Sequence, residues 1–160
     1  MTAETPSDGG HEAFLRDVAL CVSTYRGRTP AMVWPEGEGT ALARIGSRPA
    51  DGGRVEEADE LAADLGGLIG LPVSAGLRHL RAWHEEDESL CDRDVLLMPV
   101  RGSLNCRIWP CRTEKEPVPD GQDLRLRGGS VLYLPRGARY STRTGRSAAV
   151  LLSFHLGGDG

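Results

Sequence analysis

Two periodicities divide the chain near Pro72. Before it, apolar residues recur every three or four positions. Phe14, Leu15, Val18, Cys21, Val22 and Tyr25 predict an amphipathic helix over Glu12–Tyr25. Val55, Ala58, Leu61, Ala62 and Leu65 predict a second over Val55–Leu65, stopped by Gly66-Gly67. Between them, Pro30–Trp34 and Thr40–Ile45 read as short strands, and Asp51-Gly52-Gly53 as a turn. After Pro72 the period falls to two. The strands expected there are Leu77–Trp83, Asp94–Val100, Leu104–Trp109, Leu124–Arg127, Val131–Leu134, Arg139–Arg143 and Ala148–Leu156. Glycine and proline separate them at regular intervals, the pattern of a sandwich or barrel. Residues 1–10 read as a disordered tail, 11–75 as a helical and strand segment packing on the barrel, and 76–157 as the barrel core.

Composition narrows the function more than the fold. The 160 residues suffice for one domain with a real core. A formal net charge of -4 argues against a nucleic-acid partner, which calls for a basic balance. No apolar run is long enough to cross a membrane, and the polar start lacks a signal-peptide core, so a cytoplasmic protein is expected. Lys115 is the single lysine among 19 basic residues, as in a chain from a high-GC bacterial genome. Cys21, Cys91, Cys106 and Cys111 form no Cys-x2-Cys pair and read as reduced thiols in or near the core.

The stretch from Gly129 to Tyr140, Gly-Ser-Val-Leu-Tyr-Leu-Pro-Arg-Gly-Ala-Arg-Tyr, carries the strongest motif. Gly129, five strand residues, then Pro135-x-Gly137 specify a turn, a strand and a tight bend. This spacing resembles the second cupin motif, with Tyr140 where that motif has a metal-binding histidine. The same stretch is similar to the LLYLPRG segment of the JmjC-related cupins, the branch of protein hydroxylases that includes the ribosomal oxygenases. Ser153-Phe-His-Leu156, Asp94 to Gly102 and Asn105 to Pro110 resemble further strands of that branch. Phe14-Leu-Arg16 and Thr29-Pro-Ala-Met-Val33 resemble its start more faintly. The resemblance covers about 94–156 and implies a mainly β protein, a double-stranded β-helix (cupin or jelly-roll barrel) with one or two N-terminal helices. Cupin barrels often pair, so a homodimer is among the expected partners.

Those relatives hold Fe(II) with two histidines and a carboxylate, leaving positions open for 2-oxoglutarate and oxygen. By spacing, their ligand positions fall on Ser89, Cys91 and Tyr140, and the glutamate of the generic cupin pattern on Val95. All are substituted, so no metal and no cofactor are expected. Fe(II) and 2-oxoglutarate remain under an alternative in which His84, Glu86 and His155 form a displaced triad. A metal-free pocket would use Tyr140 as donor or acid, His155 as base and Cys91 beside them. Ser89 would line it, and Arg107, Arg139 or Arg143 would hold a carboxylate. Simpler readings stand beside these: Tyr140 plugging the former metal position, Cys91 as a small buried hydrophobe, His84 as a loop histidine, Glu85 to Glu88 as a solvated loop. The set suits a small-molecule or peptide ligand, with or without metal-independent isomerase or cyclase chemistry in bacterial specialised metabolism. A displaced-ligand hydroxylase and a non-catalytic structural or regulatory barrel are the competing expectations.

Overall fold

A computed structural model describes residues 7–36, 42, 45, 56–109 and 121–157. Helix α1 (Ser7–Tyr25) leads to β1 (Ala31–Val33) and then α2 (Glu56–Ile69). Eight strands follow: β2 (Val73–Leu80), β3 (Ser89–Leu90), β4 (Asp94–Arg101), β5 (Leu104–Trp109), β6 (Gln122–Leu126), β7 (Val131–Leu134), β8 (Arg139–Arg143) and β9 (Ala149–Leu156). They form two antiparallel sheets, ordered β1-β7-β4-β9-β2 and β3-β8-β5-β6. From β2 onward consecutive strands fall alternately in the two sheets, apart from β5 and β6. The orders β2-β9-β4-β7 and β3-β8-β5-β6 are those of an eight-stranded jelly roll, with β1 added at one edge.

The five-stranded sheet is covered on both faces. Its outer face carries Leu96, Met98, Val131, Tyr133, Leu152, Phe154 and Leu156, which pack against Phe14, Val18, Val22, Leu61 and Leu65 of the two helices. Its inner face carries Val95, Leu97, Leu132, Leu134, Ala149 and Leu151, which meet Leu104, Cys106, Ile108 and Leu126 of the other sheet. A strand buried on both faces has no polar side to alternate with. That is why β4, β7 and β9 are nearly continuous apolar runs, whereas β5 alternates buried residues with half-buried or exposed ones.

The motif glycines have the backbone their positions require. Gly129 has φ +95° and Gly137 has φ +94°, and Ala138 N donates to Pro135 O across the bend at 3.1 Å. Other expectations need correction. Gly66-Gly67 does not stop α2, which runs on to Ile69 and ends at Gly70, whose φ is +72°. Gly66 is there for close approach: a Cβ on it would lie 2.6 Å from Leu71 O. Leu42 and Ile45 are helical and buried rather than part of a strand, and the rest of 40–45 lies outside the described residues, as do 51–53 and Cys111. The expected tail overlaps α1, which begins at Ser7. The first barrel strand starts at Val73, four residues before the expected Leu77. β3 was not foreseen, because two residues are too few to show a period.

One polar network around the buried Tyr133 ties α1 to the barrel. Tyr133 is fully buried, and its hydroxyl accepts the Gly27 N–H at 3.1 Å just past the helix. It also bonds the Asp94 carboxylate, which accepts Arg136 N–H at 2.8 Å and faces Arg26 at 3.8 Å. Burial, reinforced by Asp94, raises the Tyr133 phenol well above its ordinary value. Tyr133→Phe keeps the ring and strands these partners, so urea denaturation should show a loss of about 1–2 kcal/mol. A midpoint unchanged from wild type would show that the network adds no stability.

Candidate functional site

Strand register decides which side chains enter the barrel. On β8 and β5, Tyr140 lies opposite Ile108 and Thr142 opposite Cys106, all on the inner face. Ser89 of β3 is the cross-strand partner of Tyr140. Cys91 continues from β3, buried among the interior residues, with Tyr140 packed against the same cluster. The three positions that resemblance assigns to metal ligands are thus neighbours, as serine, cysteine and tyrosine, but Ser89 is exposed rather than lining the interior, Cys91 is buried and Tyr140 is half-buried. Of the three, Tyr140 keeps its phenolic proton at neutral pH. Burial raises the Tyr140 phenol, with Arg78 partly opposing, and burial followed by the neighbouring Cys91 pushes Cys106 up to about 12.

The three arginines expected to hold a carboxylate in this pocket do not enter it. Arg107, Arg139 and Arg143 alternate with the inward residues of β5 and β8, so they project from the outer face of the four-stranded sheet. Arg107 pairs with Asp123 and Arg139 with Glu88, each at 3.1 Å. Arg107 and Arg143 line a solvent-facing groove of about 350 Å³, together with Glu85, Asp87, Glu88, Trp109 and Asp123. A second expectation also changes. Among the described residues the interior is apolar: Cys91, Leu97, Cys106, Leu126, Leu132, Leu134 and Leu151 are buried there and pack together. Polar groups gather instead toward its rim.

The rim cluster centres on Arg78, a residue that sequence reasoning missed. Arg78 lies opposite Leu151, a residue of the barrel interior, so it belongs to the inner face of β2. Its guanidinium reaches both oxygens of Glu86, at 2.6 and 2.8 Å. Glu86 also accepts from Thr142 Oγ1 at 3.0 Å and lies 3.5 Å from His84 Nε2. Burial works to raise the Glu86 carboxyl. Hydrogen bonds from Arg78 and Thr142, the Arg78 charge and the His84 bond together outweigh it and hold the group below its ordinary value. The stretch Glu85 to Glu88 is thus more than a solvated loop: Glu86 N donates to Thr142 O and Thr144 N to His84 O, extending the β8 pairing. The alternation of Gly76, Arg78 and Leu80 was the available signal, visible once β2 starts at Val73.

His155 occupies the inner face too, opposite Ser74 and Val95, in line with Leu151 and Ser153. Burial, then Arg93 and more weakly Arg78, lower its pKa, with Asp92 opposing. It is therefore a neutral imidazole at pH 7. Among the described residues no hydrogen bond joins His155 to Tyr140 or Glu86, and no three His, Cys, Asp or Glu side chains stand together in a group able to hold a metal ion. His84 and Glu86 do meet, but with the Arg78 cation on the carboxylate.

The strand orders settle the fold at this point. It is an eight-stranded antiparallel jelly roll with β1 added at one edge. Solved structures with cupin domains are similar to it. The cupin domain of Cnp3 from Schizosaccharomyces pombe matches at 19% identity, over 54% of this chain and 53% of that one, with a TM-score of 0.42. RmlC from Streptococcus suis, solved with dTDP-D-xylose, matches at 11% over 55% and 45%, TM-score 0.45. Vicilin from Corylus avellana matches at 15% over 56% and 25%, TM-score 0.47. The chain covers about half the length of the first two. No family model and no curated protein matches the sequence. Among the described residues no helix of this jelly roll is long and apolar enough to cross a membrane.

Proposed function

We propose that this cupin-type protein works without a metal and binds a small polar molecule or peptide end at the rim of its barrel. The observation that carries the reading is the Arg78–Glu86 pair. The carboxylate best placed to serve as a ligand already has a cation, held in two-oxygen contact, and the positions equivalent to cupin ligands are Ser89, Cys91 and Tyr140. A divalent ion would have to displace a guanidinium from its best partner. The likeness to JmjC-related cupins supports descent from an iron-binding site whose ligands were replaced. Tyr140 is a protonated donor and His155 a neutral acceptor. A ligand reaching both has an acid and a base available, the minimum for metal-independent proton transfer. The packed interior favours a ligand at the rim and equally suits binding without turnover.

Metal content tests this directly. Untagged protein, purified without chelator and again after anaerobic Fe(II) loading, should hold well under one equivalent of any transition metal by mass spectrometry. 2-Oxoglutarate should give no saturable heat in a calorimetric titration of the loaded sample. Stoichiometric iron that disappears in His84→Ala would overturn the proposal in favour of the displaced triad.

A further inference from the structure

We infer that the end of the barrel at the β2–β3 and β8–β9 connections is a second binding site, for an aromatic ring bearing an anionic group. Three independent observations meet there.

The first is backbone geometry. Trp83 has φ +58°, the only positive φ among the described residues that are not glycine. That region disfavours a bulky side chain. The surrounding bonds leave the turn no choice. Trp83 N donates to Gly145 O at 2.8 Å and His84 N to Thr144 Oγ1 at 2.8 Å, while the Thr144 hydroxyl donates to Arg81 O. The second is exposure. This constrained turn holds an indole 74% open to solvent, the most exposed of the large apolar side chains described. Glycine or asparagine would fit the backbone better, so packing and turn chemistry alone do not account for tryptophan here.

The third is the pocket beside it. A depression of about 330 Å³ is lined by Trp83, Ser103, Asn105, Arg125, Arg146 and residues adjoining them in the chain, within the size range of small-ligand sites. No acidic residue lines it, in a chain of net charge -4. Arg125 bonds Ser103 Oγ at 3.2 Å, and among the described residues neither Arg125 nor Arg146 forms an ion pair. The groove on the outer sheet face differs, since its arginines stand among carboxylates. An indole face offers a stacking surface to a planar ring. Two guanidiniums beside it offer fork-shaped donors to a carboxylate or phosphate, with Ser103 and Asn105 for further hydrogen bonds. Neither half is specific alone; together they select a ring and an anion joined in one molecule.

Nucleoside phosphates and aryl carboxylates share this chemistry. The test titrates the full chain with adenosine monophosphate, 4-hydroxybenzoate, adenosine and inorganic phosphate. It follows the indole N–H signals by NMR, with the Trp83 signal assigned by its absence in Trp83→Gly, and the heat by calorimetry. At least one ring-bearing anion should saturate and shift the Trp83 signal. Saturation by the phosphate or by the carboxylate identifies the source. Adenosine and phosphate should each bind at least tenfold more weakly than adenosine monophosphate if that is the ligand. Arg125→Gln and Arg146→Gln should each weaken binding tenfold or more. Trp83→Gly should abolish it while the melting temperature holds or rises, which separates lost binding from lost folding. The inference is overturned if neither ring-bearing anion saturates, if the shifts avoid Trp83, or if Trp83→Gly binds like wild type.

Discussion

Phe154→Ala should destabilise the protein by about 3–5 kcal/mol, read as a fall in the urea midpoint by circular dichroism. Phe154 is fully buried in the layer between the five-stranded sheet and the helices, opposite Ala75 on one side and Leu96 on the other. Both neighbouring strands are paired to β9 along most of its length, so the backbone cannot collapse into the space left by the ring. The cost is then lost burial plus a retained cavity, a large share of the roughly 5–15 kcal/mol that holds a domain folded. The effect tests whether α1 and α2 complete the fold or merely decorate it. Leu20→Ala is the control, since Leu20 lies on α1 but is 66% exposed, and its change should stay within about 0.5 kcal/mol. A Phe154→Ala loss as small as that of Leu20→Ala would mean that the helical layer adds little. The result bears on the site as well, because β9 turns Ser153 and His155 toward the barrel with the opposite face of the same strand.

Arg78→Met should cost about 1–2 kcal/mol at neutral pH and flatten the acid limb of the stability profile. The figure is kept below that for a fully buried pair because the Arg78 side chain is 40% exposed and that of Glu86 22%. The folded pKa of Glu86 lies below its ordinary 4.5. The unfolded chain therefore binds the proton first. The pair's contribution is complete above about pH 4.5 and is lost as pH falls through the lower folded value. Without Arg78 the burial of Glu86 is no longer offset as fully, so the folded pKa rises and this loss shrinks. Glu86→Gln should remove the same limb. The double variant should cost less than the sum of the single ones, with a coupling of about 1–2 kcal/mol. His155 contributes separately and at higher pH: its folded pKa is below 6.5, so stability present above pH 6.5 declines on acidification from there. Because Arg78 is the weakest contributor to that shift, the His155 step should persist in Arg78→Met. Additive single and double variants would show that the close contact is incidental. The reading of Arg78 as the internal cation of the rim would then fall.

The sequence by itself determined the local features whose causes are local. Gly129, Pro135 and Gly137 bend as their side chains, or lack of them, require. β5, β7 and β8 have the bounds that their patterning specifies, and the helix through Phe14 and Val18 needs only a 3.6-residue period. Tertiary structure decided the rest. Gly66 lies inside a helix because Leu71 O passes close to it, a contact across a turn that helix-stop rules do not contain. Arg107, Arg139 and Arg143 face solvent because the inner face of β5 and β8 was already taken by Cys106, Ile108, Tyr140 and Thr142. Arg78 meets Glu86 only because the two sheets close on each other, bringing β2 to the segment leading into β3. Spacing along one strand tells which residues share a face. Only the packing of one sheet on the other determines which face is inside and which charges meet there.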